Sequence, residues 1–423
     1  MKARVRSIRD QLVFLAGAEW LYALAVASLV LGLIPLIPGW PWWANLVISV
    51  IGLLLAISLL WRDTRQIVSR FSSMEFAGRE PVFHLTPHAD DLPETVSCRR
   101  GNILTDFRLV SAFANCPLNV VWQDDKFRLT GELRESAAYV LRRSSGAKLP
   151  FNGPCVRLET DLSSLHVNNL VDVRLRPADF FDALCSNELT RWSITRSGLD
   201  WDFHHRYLLD SHNRVIALSQ SELANIVGVS TLAITTDDHV LLVLQSGKSS
   251  ASAQLWAPSG SGSLEPQDVS NQDRLSDVVL SGAVRELREE CGLTPDSVLS
   301  SQLLGYGRWL ERGAKPEFVC VTALSCTSND VLRHPSYRDR SEKHWTTAVE
   351  CIPLNLAVSA ADDWSGPEAR SSAAHRLIGN SDRVISGISV PLQFSLEVLA
   401  LALSNQQDLL SNLRASARKE RLV

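Results

Sequence analysis

The sequence lacks two patterns that are typical of common binding proteins. Its eight cysteines are scattered and form no C-x-x-C pair, which argues against a structural zinc site. Several of them stand inside apolar runs, so the cysteine usage fits a reducing compartment without structural disulfides. With 42 basic and 46 acidic residues the net charge is −4, and there is no basic excess. A nucleic-acid polymer is therefore not expected as a partner.

Long uncharged apolar runs are also absent, except within the first 61 residues. One run extends from Trp20 to Ile37 and a second from Trp42 to Trp61. A helix of the first length rises about 27 Å, close to the roughly 30 Å hydrocarbon core of a bilayer. Only residues 38–41 join the two runs. Residues 1–61 are therefore predicted to form a two-helix transmembrane hairpin.

The basic residues predict the orientation of this hairpin. They flank the two runs, whereas the link has none: Lys2, Arg4, Arg6 and Arg9 precede the first run, and Arg62, Arg65 and Arg70 follow the second. Basic residues favour the cytoplasmic side, so both termini are expected in the cytoplasm of a two-pass protein. A cleaved signal peptide is the alternative, but no A-x-A-like site follows the first run.

Small residues recur four apart within both runs. The pairs are Ser28 with Gly32 and Gly52 with Ala56. This spacing allows close helix approach in a bilayer. It fits packing within the hairpin and equally fits a homo-oligomer, which is the partner predicted besides the lipid bilayer itself.

The rest of the chain predicts an α+β organisation. Residues 62–95 are expected to be a connector, 96–218 a β-rich middle module, 219–389 a separate domain and 390–423 a C-terminal amphipathic helix. The alternating segment Phe127–Leu133 predicts a strand in the middle module. Strands are also predicted over 227–235, 239–244, 303–310 and 317–324.

A helix predicted over Ser276–Cys291, with Ser276 as its N-cap, carries the chemistry. Glu286, Glu289 and Glu290 stand at i, i+3 and i+4, so their carboxylates share one face. Crowded carboxylates repel each other, and a hard cation such as Mg²⁺ relieves that cost. Three glutamates alone would more often form a solvated acidic face, so the residues around them decide the interpretation.

Those residues resemble the Nudix hydrolase signature, G-x5-E-x7-R-E-U-x-E-E-x-G-U. The second half is complete from Arg285 to Leu293. Upstream, Gly262 and Asp268 resemble the first half, with Asp in place of Glu. Sixteen residues separate Asp268 from Arg285 where the family has seven. This nine-residue insertion, near 269–278, puts the role of Asp268 and the geometry of the turn in doubt.

The resemblance implies an α/β/α Nudix fold and assigns roles to the matching residues. Glu289 and Glu290 would ligate Mg²⁺ or Mn²⁺, and Glu286 would be a further ligand or orient the attacking water. Arg285 would position a catalytic carboxylate. A backbone carbonyl at Ser261 or Gly262 would complete the metal shell. The implied reaction is hydrolysis of a nucleoside diphosphate linked to another moiety.

A basic cluster in the hairpin that follows the box is the candidate for nucleotide binding. It consists of Arg308, Arg312 and Lys315. These cations are predicted to contact an anionic ligand, although placement for purely structural reasons in the hairpin is an equal alternative.

The order of the parts resembles the two-transmembrane Nudix effectors of bacterial cyclic-oligonucleotide antiphage systems (CBASS). The resemblance implies an inner-membrane protein whose Nudix domain recognises a cyclic oligonucleotide and triggers membrane disruption and abortive infection. The alternative is a membrane-tethered, Mg²⁺-dependent Nudix hydrolase. A third possibility is a relic box in a membrane scaffold, against which the intact glutamates argue.

Overall fold

A computed structural model describes most of the chain beyond the predicted membrane hairpin. The described residues are 2–16, 43, 46, 47, 50, 52, 74–78, 94–144, 151–163, 172–196, 199–247, 252–333, 346–356, 366–379 and 381–420. Within these ranges, no helix has the length and apolar character needed to cross a bilayer. Apart from isolated positions, the predicted spans 20–37 and 42–61 lie outside the described residues, as does most of the predicted connector.

The described ranges contain twelve helices and fifteen strands, which confirms the mixed α+β class. The helices are α1 Lys2–Ala16, α2 Leu109–Asn115, α3 Gly131–Ser144, α4 Phe180–Leu184, α5 Phe203–Tyr207, α6 Pro266–Val269, α7 Leu275–Cys291, α8 Ser328–Arg333, α9 Pro367–Leu377, α10 Asp382–Ser386, α11 Val390–Asn405 and α12 Leu409–Glu420. The strands are β1 Met74–Gly78, β2 Glu94–Cys98, β3 Gly101–Thr105, β4 Asn119–Trp122, β5 Pro154–Leu158, β6 Asp172–Asp179, β7 Trp192–Arg196, β8 Leu199–Asp202, β9 Gly228–Ile234, β10 His239–Gln245, β11 Trp256–Pro258, β12 Gly260–Ser263, β13 Val298–Trp309, β14 Lys315–Leu324 and β15 Thr346–Pro353.

A nine-stranded sheet organises the fold. Its main order is β11-β10-β9-β14-β13-β3-β2, with β12 paired to β9 and β15 paired to β10. The pair β9–β14 is parallel, whereas the other pairs of this sheet are antiparallel. Two three-stranded sheets, β1-β7-β8 and β4-β6-β5, lie outside it. The four strands predicted from 227 to 324 are confirmed as β9, β10, β13 and β14.

Helix α7 lies between the large sheet and the small sheet β4-β6-β5. Its Val278, Val279 and Ala283 share one core with Leu158 of the small sheet and Phe318 of the large sheet. All five side chains are fully buried. The helix that carries the Nudix-like box is therefore held from two sides.

Helices α9, α11 and α12 cover the other face of the large sheet. Helix α11 is buried almost all round, and its Phe394, Leu396 and Leu399 are fully excluded from solvent. A helix with no exposed face has no polar stripe. This explains why the expected amphipathic pattern belongs only to α12.

The predicted middle module and the following domain share both a sheet and a core. Strand β3 pairs with β13 from Ile103 to Thr105, so β2 and β3 extend the large sheet. Strand β5 and the segment before β9 are linked by the backbone hydrogen bond from Val227 to Val156 at 2.8 Å. The boundary near residue 219 stays a prediction about folding units.

The nine-residue insertion in the box has a structural place. Part of it forms the turn 270–274, and the rest adds an N-terminal turn to α7, which begins at Leu275. The turn pairs with the small sheet, since Val120 donates to the carbonyl of Asp273 and Leu275 donates to that of Leu118, both at 2.9 Å. The predicted N-cap was wrong by two residues, because Arg274 occupies that position.

The strand predicted over Phe127–Leu133 was wrong. Residues 127–130 belong to no strand, although Phe127 donates to the carbonyl of Pro177 at 2.9 Å, and helix α3 begins at Gly131. Phe127, Leu129 and Leu133 nevertheless enter the same core. Phe127 and Leu129 are two residues apart, whereas Leu129 and Leu133 are four apart. This spacing fits a segment that continues into a helix, and alternation alone does not distinguish such a segment from a strand.

The single helix predicted from Val390 to about Ser416 was also wrong. Residues 406–408 break it into α11 and α12. The break lets Arg414 of α12 reach the turn after β9, where it donates to the carbonyl of Thr235 at 2.8 Å and to Asp238 at 2.7 Å.

Replacing Leu158 by Ala tests the core shared by the small sheet and α7. Leu158 is fully buried there, so we expect Leu158→Ala to lower the free energy of unfolding by about 2–5 kcal/mol. Chemical unfolding of the full chain in detergent measures it. In the control Val121→Ala, the side chain is 40% exposed and the change should stay within about 0.5 kcal/mol. Equal effects of the two substitutions would contradict the shared core.

The buried carboxyl of Glu397 on α11 predicts a pH-dependent stability. Burial raises the pKa of Glu397 to about 7, against the opposing hydrogen bond from Gln393 and charge of Arg370. Because the folded pKa exceeds the ordinary value of 4.5, the stabilising contribution is complete below that value and is lost as pH rises through about 7. Thermal unfolding should therefore show Glu397→Gln raising the midpoint relative to the unchanged protein at pH about 8 and not at pH about 4. The exposed Glu368→Gln is the control, and a pH-independent effect of Glu397→Gln would refute the assignment.

Candidate active site

The glutamate face of α7 is set by the burial of its opposite face. Leu287 and Cys291 are in the core beside β9 and β10. This orientation turns Glu286, Glu289 and Glu290 away from that core. They differ in exposure: the Glu290 residue is 4% exposed, whereas the side chain of Glu289 is 44% exposed. The face therefore runs from a buried carboxylate to one at the surface.

Strand β12 crosses close against this helix because it contains glycine where the two meet. A Cβ atom on Gly260 would lie 2.8 Å from the backbone of Leu287. A Cβ atom on Gly262 would lie 2.1 Å from the carboxyl carbon of Glu286. At Gly260 the helix backbone leaves no room for a side chain, whereas at Gly262 the end of the flexible Glu286 side chain would have to move. The glycine-rich turn of the signature thereby brings backbone atoms next to the acidic face.

Arg285 is the centre of the site. Its Nε and Nη2 donate to the two oxygens of Asp268, both at 2.9 Å, and Nη2 also donates to the carbonyl of Ser263 at 2.9 Å. Its Nη1 donates to Glu286 at 2.9 Å and to Glu289 at 3.3 Å. Burial alone lowers the pKa of Arg285, but these hydrogen bonds and negative charges raise it well above its usual value. The guanidinium therefore stays charged and fixes two of the three glutamates.

Glu290 is held by a different set of donors. The backbone N–H of Ser261 donates to its Oε2 at 3.1 Å, and Gln245 Nε2 donates to its Oε1 at 3.2 Å. A buried carboxylate needs such donors, since an unpaired one is costly in a low-dielectric interior. Strands β10 and β12 thus position the innermost oxygen atoms of the site.

Asp268 takes part in the site in spite of the insertion that follows it. It lies at the end of the short helix α6, is 2% exposed, and accepts the backbone N–H of Glu265 at 2.8 Å. The additional residues loop away between Asp268 and α7 without displacing the carboxylate from Arg285. The shorter Asp side chain therefore serves where the family pattern has Glu.

Three residues near the box were missed by the sequence reasoning. Gln245 contacts Glu290, the carbonyl of Ser263 accepts from Arg285, and Glu265 lies 3.9 Å from Arg285. Burial raises the pKa of Glu265, which the charge of Arg285 partly opposes. Only the capping pair Glu265 and Asp268, three residues apart, gives a signal in the sequence.

The donor chemistry of this face fits a hard divalent cation. Carboxylates of Glu286, Glu289 and Glu290, with the carbonyl oxygen of Gly262, form the all-oxygen set that Mg²⁺ or Mn²⁺ prefers. As the side chains stand in the described ranges, no three acidic, histidine or cysteine groups are arranged to hold a metal ion. Arg285 and the donors of Ser261 and Gln245 engage the three carboxylates.

The predicted nucleotide-binding cations have protein partners. Arg308 donates to the carbonyls of Ala314 and Ile216, both at 2.9 Å. Arg312 pairs with Glu188, and buried Lys315 pairs with Glu317 at 2.5 Å. None of these bonds links the three cations to the acidic face of α7. Their role in nucleotide binding stays a prediction.

Comparisons with known proteins add names but little detail. No family model matches the sequence, and no curated protein matches it. The structure aligns with DR0079 from Deinococcus radiodurans (14% identity, TM-score 0.23, 49% of this chain and 96% of that chain). It also aligns with a MutT protein from Methanosarcina mazei (17%, 0.19, 30% and 77%) and a C. elegans Ap4A hydrolase (13%, 0.23, 42% and 98%).

All three alignments have TM-scores below 0.5 and sequence identities below 25%. Identities and TM-scores this low decide nothing about the activity of this chain. The site is therefore interpreted from its own geometry.

Two glycine substitutions test how β12 meets α7. In Gly260→Ala the new methyl meets helix backbone, so we expect a loss of about 1–3 kcal/mol in the free energy of unfolding. In Gly262→Ala it meets the end of a flexible side chain, so stability should change less while Glu286 is displaced. Chemical unfolding compares the two variants.

Gly153→Ala is the matched control, because a Cβ there would have no neighbour within 4 Å. An equal stability of Gly260→Ala and this control would show that the strand and helix are not in the close contact described.

Proposed function

We propose that this chain is a Nudix-type hydrolase that cleaves a nucleoside diphosphate linked to another moiety, with a divalent cation as cofactor. The observation that supports this most directly is the position of Asp268. The insertion and the replacement of Glu by Asp were the two departures from the family signature. Since Asp268 still binds Arg285 with both oxygens, neither departure removes a part of the site.

The residues divide the work between binding and positioning. Glu286, Glu289 and Glu290 would hold Mg²⁺ or Mn²⁺, and the carbonyl of Gly262 would complete the shell. Bound there, the cation would neutralise charge on the diphosphate and activate water. Asp268 holds Arg285, and Arg285 in turn holds Glu286 and Glu289 at the edge of the site. The N–H of Ser261 donates to Glu290 and so fixes the buried end of the acidic face.

We propose in addition that the chain is a two-pass protein of the bacterial inner membrane with both termini in the cytoplasm. The uncharged runs 20–37 and 42–61 with basic residues on both outer sides support this. In this proposal the hydrolase acts beside the bilayer, and the spans also provide the contact through which copies of the chain associate.

A second candidate is the CBASS effector, in which the box senses a cyclic oligonucleotide and triggers membrane disruption and abortive infection. One observation favours binding over turnover. Glu286 and Glu289 are both bonded to Arg285, and Glu290 is bonded to Ser261 and Gln245. A ligand that only binds leaves those bonds in place, whereas a chelated cation would have to share the carboxylates with these donors.

The substitution Glu290→Gln separates hydrolysis from sensing. It keeps the shape of the side chain but removes the charge on a proposed metal ligand. With Mg²⁺ or Mn²⁺ and a panel of nucleoside diphosphate derivatives, we expect turnover to fall at least about a hundredfold. Chromatography of the products measures it, and the unfolding midpoint of the variant verifies that it is folded.

The matched control is Asp408→Asn, which changes an exposed carboxylate in the turn between α11 and α12. It should retain full turnover. One outcome would contradict the hydrolase proposal and leave the effector. The unchanged protein would hydrolyse nothing in the panel, and the unchanged protein and Glu290→Gln would bind a cyclic oligonucleotide equally tightly.

A further inference from the structure

Helix α1 is docked on the rest of the protein by one face only. The buried carboxylate of Asp10 accepts the backbone N–H of Asn152 at 3.3 Å. The ring of Phe14 contacts Phe181 edge-on at 5.5 Å between centroids. Arg134 donates to the carbonyls of Phe14 and Leu15 at 3.1 and 2.8 Å. These contacts fix the helix against α3 and α4.

The opposite face of α1 is apolar and exposed. Val5, Ile8 and Leu12 are 62%, 51% and 55% exposed. Their spacing of three and four places them on one side of the helix. Arg9 borders this stripe and pairs with Asp10 at 2.9 Å. Arg6 lies farther round the helix, 3.9 Å from Asp10 and over the ring of Phe151. The side chains of Arg6 and Arg9 are nevertheless 64% and 57% exposed.

We infer that the stripe of Val5, Ile8 and Leu12 lies on an anionic lipid surface, with Arg6 and Arg9 against the headgroups. An apolar face bordered by basic residues is the pattern of a helix that lies in a membrane interface. Lys2, Arg4, Arg6 and Arg9 against Asp10 give α1 a net charge of +3. Anionic lipid attracts a segment of this charge.

Continuity of the chain supports lipid as the occupant. Helix α1 ends at Ala16, and the uncharged run begins four residues later at Trp20. The inference therefore rests on the membrane part of the proposed function and is independent of the hydrolysis. A second copy of α1 fits less well, since two stripes facing each other would bring like charges together.

Helix α1 would then connect the bilayer to the cytoplasmic part of the protein, and we call it a strap for that reason. Its lipid face and its docked face are back to back on one helix of four turns. Through Arg134 and Phe181 the cytoplasmic part is then held at a fixed distance and orientation from the membrane surface. A flexible tether would leave it free to tumble.

Photo-crosslinking in the full chain tests this strap. A benzophenone amino acid replaces Leu12 on the exposed stripe or, as the matched control, Phe14 on the docked face. The protein is reconstituted in vesicles of phosphatidylcholine with phosphatidylglycerol, irradiated, and analysed by mass spectrometry. We expect lipid adducts at position 12 severalfold above those at position 14. They should fall severalfold in Arg6→Gln/Arg9→Gln and in vesicles of phosphatidylcholine alone.

Two other results would overturn the inference. Adducts of position 12 with a second copy of the chain would identify protein as the occupant, and adducts no more frequent than at position 14 would show that lipid does not cover the stripe. Carbonate extraction of the same vesicles reports separately on the predicted spans. Loss of the protein in that wash would refute the membrane proposal itself, while hydrolysis by the Nudix-like box would be unaffected.

Discussion

The two-pronged pairing of Arg285 with Asp268 is the interaction on which the candidate site depends. It joins the turn after β12 to the helix α7, which the insertion separates in sequence. Without it, Arg285 would keep Glu286, Glu289 and the carbonyl of Ser263 as hydrogen-bond partners, and the single bond to Ser263 would tie it to the turn less firmly. A bidentate guanidinium–carboxylate pair adds fixed geometry to charge attraction. The acidic face is thereby positioned relative to the glycine turn.

Placing α7 between two sheets explains why an enlarged box is compatible with an ordered site. Most residues of the turn 270–274 are exposed, but the turn is anchored by its backbone. It pairs with β4, and the extra N-terminal part of α7 buries Val278 and Val279 against the small sheet. Burial of this kind stabilises the helix from its N-terminal half. The carboxylates at its C-terminal half then occupy fixed positions.

The sequence contained enough to predict the strands around the box and the face on which the glutamates lie. Those features depend on local periodicity and on the box itself. It did not predict the contact of Asp268 with Arg285, because a loop of unusual length hides which residues meet. The segment Phe127–Leu133 was misassigned because its alternation fits a strand and also an extended segment that continues into a helix. The break at 406–408 was missed because leucines on both sides of it continue the apolar pattern of a single helix.

The partners of the basic cluster Arg308, Arg312 and Lys315 favour a structural role for it. Leu310 and Ala314 of the β13–β14 hairpin lie in the same core that Phe14 of α1 packs against. Arg308 and Arg312 bind the hairpin to the segments around Ile216 and Glu188. These cations thus join the large sheet to the region on which α1 docks. In the described part of the chain, strands β13 and β14 contact α7, which carries the box, and their hairpin also lies in the core on which α1 docks.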